Sequence, residues 1–200
     1  MNAGQRFARL VTEVVVRRPT LWRLFRGPMR KQFDRLAPVW DSMRDPQAFA
    51  PVEVALERLP SPPRHVLDLG TGTGSVARLV ASRFPEADVV GADISERMID
   101  EARKRTDSQR VRYEVADAER LPYDDGSFDL VTLGNMIPFF DELTRIVASG
   151  GHVLFAFSGG PGTPIYVAPA RLRDELGRRG FVEFAELSAG RGTAFLATKS

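Results

Sequence analysis

Three short stretches of this chain place an acid at the end of an apolar run, and its chemistry is expected there. The first is VLDLGTGTG, residues 66–74, where Asp68 precedes glycines at alternate positions, Gly70, Gly72 and Gly74. Glycine accepts φ > 0 and lets a ligand approach the backbone closely. A helix starting near Ser75 would add unpaired N–H groups and a partial positive charge. The combination predicts a nucleotide-type cofactor pocket. The second stretch is VVGADIS, residues 89–95. Its Asp93 stands about 20 residues beyond the glycine loop, where an acid can take both hydroxyls of a ribose. Ile94 and Met98 either wall an adenine ring or pack as ordinary core. The third is Asp117-Ala118, ahead of LPYDDGSFD at 121–129. A loop acid beside a backbone N–H suits the hydrogen-bonding edge of a base, although such an acid also serves as a turn residue.

Two cofactor classes use loops of this kind. Read from Gly70, the dinucleotide pattern G-x-G-x-x-G fails at Ser75; read from Gly72 it passes in its G/A form as Gly72, Gly74 and Ala77. Asp68 argues against that reading on electrostatic grounds. A carboxylate at the strand tip faces the place where a pyrophosphate would sit, whereas a zwitterionic ligand bearing an ammonium would welcome it.

The elements that position these acids follow from periodicity. Strands are expected at 64–69, 87–92, 110–115, 128–133 and 152–157, alternating with helices at 74–84, 95–106 and 139–147, with a turn at Gly150–Gly151. Ser95 is a natural N-cap. Such alternation predicts an α/β, doubly wound, mainly parallel sheet. After a helix at 169–178 the pattern changes: strands at 181–187 and 193–199 are separated only by SAGRG. So short a link forces an antiparallel hairpin. Ahead of the core, 5–17 and 20–36 read as amphipathic helices parted at Pro19, Pro38, Pro46 and Pro51 punctuate a connection, and 47–59 resumes a helical pattern. A helical N-terminal arm at 1–63 and a core at 64–200 are therefore expected.

Composition narrows the chemistry. The 200 residues contain no cysteine, which excludes disulfides and thiolate chemistry, and only His65 and His152, at strand edges, so no metal site is expected. No apolar run approaches the length of about 20 residues that spans a bilayer, and a cytoplasmic location is expected. Residues 1–35 carry nine Lys/Arg against Glu13 and Asp34, a net of +7, leaving about −5 elsewhere from the overall +2. Such an arm is either a solvated helix face or a contact for an anionic membrane, nucleic acid or acidic partner. There is no stacking platform or recognition motif to favour nucleic acid.

VLDLGTGTG, VVGADISERMIDEAR and VRYEVADAERLPYDDGSFDLV together resemble the class I S-adenosylmethionine-dependent methyltransferases, in particular the subgroup acting on quinones, lipids and other small molecules. The likeness runs from residue 64 to about 157 and extends through the hairpin. It implies a Rossmann-like seven-stranded sheet whose last strand is antiparallel. It also implies that Asp68 and the backbone at Gly70, Gly72 and Gly74 hold the methionine part of S-adenosylmethionine, with Thr71 among the cofactor-binding residues. By the same likeness Asp93 takes the ribose, Ile94 and Met98 flank the adenine, Asp117 meets the adenine amino group and the Ala118 N–H a ring nitrogen. Asn135 would face both cofactor and substrate. Asn135-Met136-Ile137-Pro138 lacks the Asn-Pro-Pro-aromatic pattern of adenine-N6 DNA methylation, and FDRLAPVWD (33–41) resembles the aromatic-Asp lid of quinone-type relatives.

The chain between Asn135 and Gly150 is shorter than in that subgroup, so cover for the site must come from residues 1–50. The expected activity is methyl transfer to a small, apolar or lipid-like acceptor, with Phe33, Trp40, Asp41, Met136, Phe139 and Tyr166 as candidate pocket residues. Any base would be Asp41, Tyr166 or another acid. The alternatives are an NAD(P)-dependent oxidoreductase and a non-catalytic S-adenosylmethionine-binding domain docked through its arm.

Overall fold

In the computed structural model, which describes residues 1–43, 45 and 47–200, seven strands form one sheet in the order β3-β2-β1-β4-β5-β7-β6. The strands are β1 (His65–Leu69), β2 (Asp88–Asp93), β3 (Val111–Val115), β4 (Phe128–Gly134), β5 (Val147–Phe157), β6 (Phe181–Ala189) and β7 (Gly192–Lys199). β1 to β5 run parallel, and β7 pairs antiparallel with both β5 and β6. The expected hairpin is present, with Gly190 at φ 56° in its tight turn. Helices α4 (Ser75–Arg83), α5 (Glu96–Lys104), α6 (Phe140–Ile146) and α7 (Pro169–Gly177) join the core strands. The chain winds outward from β1 in one direction and from β4 in the other. A crevice therefore opens where the β1 and β4 connections part, beyond the carboxyl ends of the strands.

The arm comprises α1 (Ala3–Arg17), α2 (Trp22–Leu36) and the short α3 (Ala50–Leu56). Asn2 and Gln5 form a reciprocal capping box that starts α1. Ala8, Val11, Thr12 and Val15 share its buried face, and Trp22 and Met29, seven residues apart, share that of α2. All of these except Thr12 join Leu67, Leu69, Val131, Leu133 and Phe155 in one hydrophobic cluster. α3 packs on the other face with Val66, Leu130, Leu154 and Leu196.

Two expectations need correction. Gly150 and Gly151 do not turn the chain between helix and strand: β5 begins at Val147 and runs through them. The register jumps from Phe128↔Val147 to Leu130↔His152, so the glycines lie in an irregularity of the ladder. A Cβ at Gly151 would come within 2.9 Å of the Ala148 carbonyl oxygen. The helix expected over 47–59 is confined to Ala50–Leu56. Pro46 lies outside the described residues.

Candidate functional site

The glycine loop is held from beneath by Asp68. This carboxylate is only 1% exposed. One oxygen accepts from the Thr132 hydroxyl of β4 at 2.8 Å; the other accepts from the Thr71 hydroxyl at 2.6 Å and from the Ala77 N–H at 3.1 Å. Ala77 is the third residue of α4, and no side chain caps that helix at Gly74. The buried carboxylate thus takes the place of a cap and sets a negative charge against the positive end of the helix dipole. The sequence reading had Asp68 facing the ligand. Its geometry instead makes it the fastening of the loop, acting on whatever lies above through the backbone and through its charge.

Gly70, Gly72 and Gly74 have φ of 71°, 56° and 80°. A Cβ at Gly70 would lie 2.7 Å from Met136 Sδ, and one at Gly74 would lie 2.3 Å from the Tyr113 hydroxyl. The loop is pressed between these two side chains. The Gly70 and Thr71 N–H groups both donate to the Ala92 carbonyl, at 2.8 and 3.0 Å.

Asp93 joins the first two loops. Its oxygens accept from the Gly72 N–H and the Ser95 N–H, each at 2.9 Å. Burial pushes its pKa up to about 6; the two backbone donors oppose the rise, and the charges of Asp68 and Asp34 add to it. Beside it, Ile94 is half-buried and Met98 fully buried. Asp117 stands at the end of β3, where one oxygen accepts from the Trp22 indole N–H at 2.8 Å and from the Glu119 N–H at 3.1 Å. Ala118 is buried next to it.

Asn135 follows β4 with φ 52°, the one non-glycine residue at positive φ among those described. Asn tolerates this conformation better than most residues. Its side chain bridges to Ser158 at the end of β5: Nδ2 donates to the hydroxyl and Oδ1 accepts from the backbone N–H, each at 3.0 Å.

The arm roofs these loops, and most of its fastenings were missed by sequence reasoning. Asp41 accepts from the Thr73 hydroxyl at 2.5 Å in the loop after β1 and pairs with Arg105 at 3.2 Å. Asp34 accepts from the Ser95 hydroxyl at 2.6 Å after β2, and Trp22 reaches Asp117 after β3. The Arg9 guanidinium donates to the Pro161 and Thr163 carbonyls, at 2.9 and 2.7 Å, after β5. The amphipathic pattern of 20–36 was the signal that α2 turns a face inward, and the buried residues of that face are Trp22 and Met29. Of the candidate pocket residues, Phe33 and Trp40 stack edge to face at 5.7 Å, Phe139 is buried against Trp22 at 5.6 Å, and Tyr166 meets Phe157 at 4.9 Å. Burial raises the Tyr166 pKa above its ordinary value, so the phenol keeps its proton at neutral pH.

Five carboxylates, Asp68, Asp93, Asp117, Asp34 and Asp41, therefore surround the glycine loop and its rim, with Arg26 and Arg105 as partial counter-charges. A pyrophosphate would meet a helix start already neutralised from within. A ligand with cationic groups and hydroxyl donors is matched. A surface recess of about 600 Å³ near α7 is a weaker candidate, because its Arg171, Arg178 and Arg179 already pair with Glu175 and Asp141.

The chain is similar to known methyltransferases in sequence and in fold. Residues 66–154 match the family model of a methyltransferase domain. The chain is 36% identical over 138 residues to the ubiquinone/menaquinone biosynthesis C-methyltransferase UbiE of Desulfotalea psychrophila, covering 66% of this chain and 56% of that protein. It is 36% identical over 141 residues to a malonyl-[acyl-carrier protein] O-methyltransferase of Marinomonas sp., covering 66% and 52%. A SAM-dependent methyltransferase structure from Aquifex aeolicus shares the fold, with a TM-score of 0.68 over 82% of this chain and 98% of that one at 17% identity. Residues 66–154 thus match a methyltransferase domain, and the sheet shares the fold of a solved structure of the S-adenosylmethionine-dependent class. Within that class the chain is similar to the quinone-type enzymes. It spans about half to three fifths of the length of the curated relatives it matches.

Proposed function

We propose that this protein transfers a methyl group from S-adenosylmethionine to a small apolar or lipid-like acceptor, with a quinone-type ring as the first candidate. The carrying observation is the set of carboxylates around a glycine loop whose helix dipole is already satisfied by Asp68. When bound, S-adenosylmethionine supplies a methyl group on a cationic sulfur, ready for in-line displacement. The chain's own residues bind, align and exclude water. Asp93, ionised at neutral pH, accepts from ribose hydroxyls, and Asp117 accepts from the base amino group. The loop backbone between Gly70 and Gly74 receives the amino-acid end, stabilised at a distance by the charge of Asp68. Phe33, Trp40, Met136 and Tyr166 give the acceptor an apolar surround beneath the arm. Tyr166 stays protonated, so it serves as a hydrogen-bond donor to the acceptor, and Asp41 is the candidate for taking a proton.

Isothermal titration with S-adenosylmethionine and S-adenosylhomocysteine, followed by radiolabelled methyl transfer to a panel of demethylated quinones and acyl carriers, tests this reading. Micromolar binding and label in an extractable apolar product are expected. Saturable NAD(P)H binding with neither sulfur compound bound would replace the reading.

The arm supports a peripheral location at an anionic membrane. Arg6, Arg17, Arg18, Arg23, Arg26, Arg30, Lys31 and Arg35 are all exposed, and Leu10 and Leu24 are 55% and 63% exposed. Each such cation near an anionic leaflet contributes about 1 kcal/mol. Among the described residues no helix is long and apolar enough to cross a membrane. Co-sedimentation with phosphatidylglycerol vesicles, lost in high salt and in an Arg23→Ala/Arg30→Ala/Lys31→Ala variant, is the expected result.

A further inference from the structure

We infer that Trp22, on the arm, is a positioning residue of the cofactor site that sets selectivity for the base through Asp117; the inference rests on the cofactor reading above. The two residues are 95 positions apart in sequence, and their meeting belongs wholly to the tertiary fold.

The two oxygens of Asp117 face different partners. Oδ1 accepts from the Trp22 indole N–H at 2.8 Å and from the Glu119 N–H at 3.1 Å, two donors on one oxygen. They fix the plane of the carboxylate and leave Oδ2 as the free-facing atom. Oδ2 has the Arg26 guanidinium at 3.6 Å, beyond a good hydrogen bond, on a side chain that is 55% exposed. That cation can move aside. The Asp117 side chain is itself 25% exposed, whereas Trp22 is 4% exposed and wedged edge to face against Phe139. The indole leaves part of the Asp117 side chain exposed. It is a rigid donor held by packing on one side and aiming its N–H at the acid on the other. The loop that carries Asp117 is closed by an Arg120 N–H bond to the Asp117 carbonyl at 3.0 Å, so the side-chain torsion is the remaining freedom. An amino group on the ring edge is read by Oδ2 only while Oδ1 is held. A base with a carbonyl at that position presents an acceptor to an acceptor and is rejected.

The experiment compares S-adenosylhomocysteine with S-inosylhomocysteine, in which that amino group is a carbonyl, by titration calorimetry on the full chain. Wild type is expected to prefer the adenine compound by at least about tenfold, or about 1.4 kcal/mol. Trp22→Phe keeps the packing on Phe139 but lacks the N–H. It should weaken S-adenosylhomocysteine by about tenfold and change S-inosylhomocysteine by less than about twofold. Trp22→His, which restores a ring N–H, should recover part of the preference. Equal weakening of both compounds by Trp22→Phe would mean a merely structural role and would overturn the inference. If that variant melts early, the comparison moves to Asp117→Asn: the wild-type preference must collapse there, and a preference that survives it also overturns the inference. A wild type that binds neither compound defeats the cofactor reading itself. One that binds both alike leaves that reading standing and removes this one.

Discussion

Asp93 gives the sharpest test, because one carboxylate links cofactor affinity and fold stability to pH with opposite signs. Its pKa of about 6 in the folded chain stands above the ordinary aspartate value of 3.8. Ribose hydroxyls donate, so the ionised form binds. About one site in eleven is ionised at pH 5 and nearly all at pH 8, so S-adenosylhomocysteine should bind about tenfold more weakly at pH 5. Stability runs the other way. A raised carboxyl pKa favours the protonated folded state, a contribution fully present below about pH 4 and lost as pH rises through 6. The difference between the two values, at 1.36 kcal/mol per unit, amounts to about 3 kcal/mol as an order of magnitude. Calorimetry from pH 5 to 8 in buffers of differing ionisation heat should detect about one proton released per ligand below pH 6 and none near pH 8. Asp93→Asn should flatten both profiles, because it keeps the shape and removes the titration. An affinity independent of pH in wild type, or a slope unchanged in Asp93→Asn, would refute the assignment of Asp93 to the ribose.

Other outcomes follow from the same geometry. Asp68→Ala leaves two hydroxyls and the Ala77 N–H without their charged acceptor, and should lower stability by at least about 3 kcal/mol in denaturant titration. Gly74→Ala puts a Cβ 2.3 Å from the Tyr113 hydroxyl at φ 80°, so a loss of at least about 2 kcal/mol and weakened cofactor binding are expected by thermal melt and calorimetry. At Asn135, with φ 52°, Ala should cost about 1 kcal/mol more than Gly, because Gly loses the Ser158 bridge without the backbone strain; the two melting curves decide it.

Much of the fold was legible because its signals are local. The alternation of apolar runs and helical patterns is enough for the parallel strands, and SAGRG is too short for anything but a hairpin. The three acids at strand tips were legible for the same reason. Gly150 and Gly151 misled, since a glycine pair reads as a turn whether it reverses a chain or relieves a ladder against Phe128 and Asp129. Asp68 misled differently. Its place at the strand tip was right, but whether a carboxylate faces a ligand or the loop depends on donors such as Thr132, 64 residues away.

By itself, then, the sequence determined the order of the elements and the acids that follow three of the strands, since both follow from neighbours along the chain. Only the tertiary structure decided which oxygen of each acid is occupied. It also made the arm a roof, bringing Trp22, Asp34 and Asp41 onto the loops after three different strands. A hydrogen bond across such distances requires the whole sheet to be assembled, and no spacing along the chain encodes it.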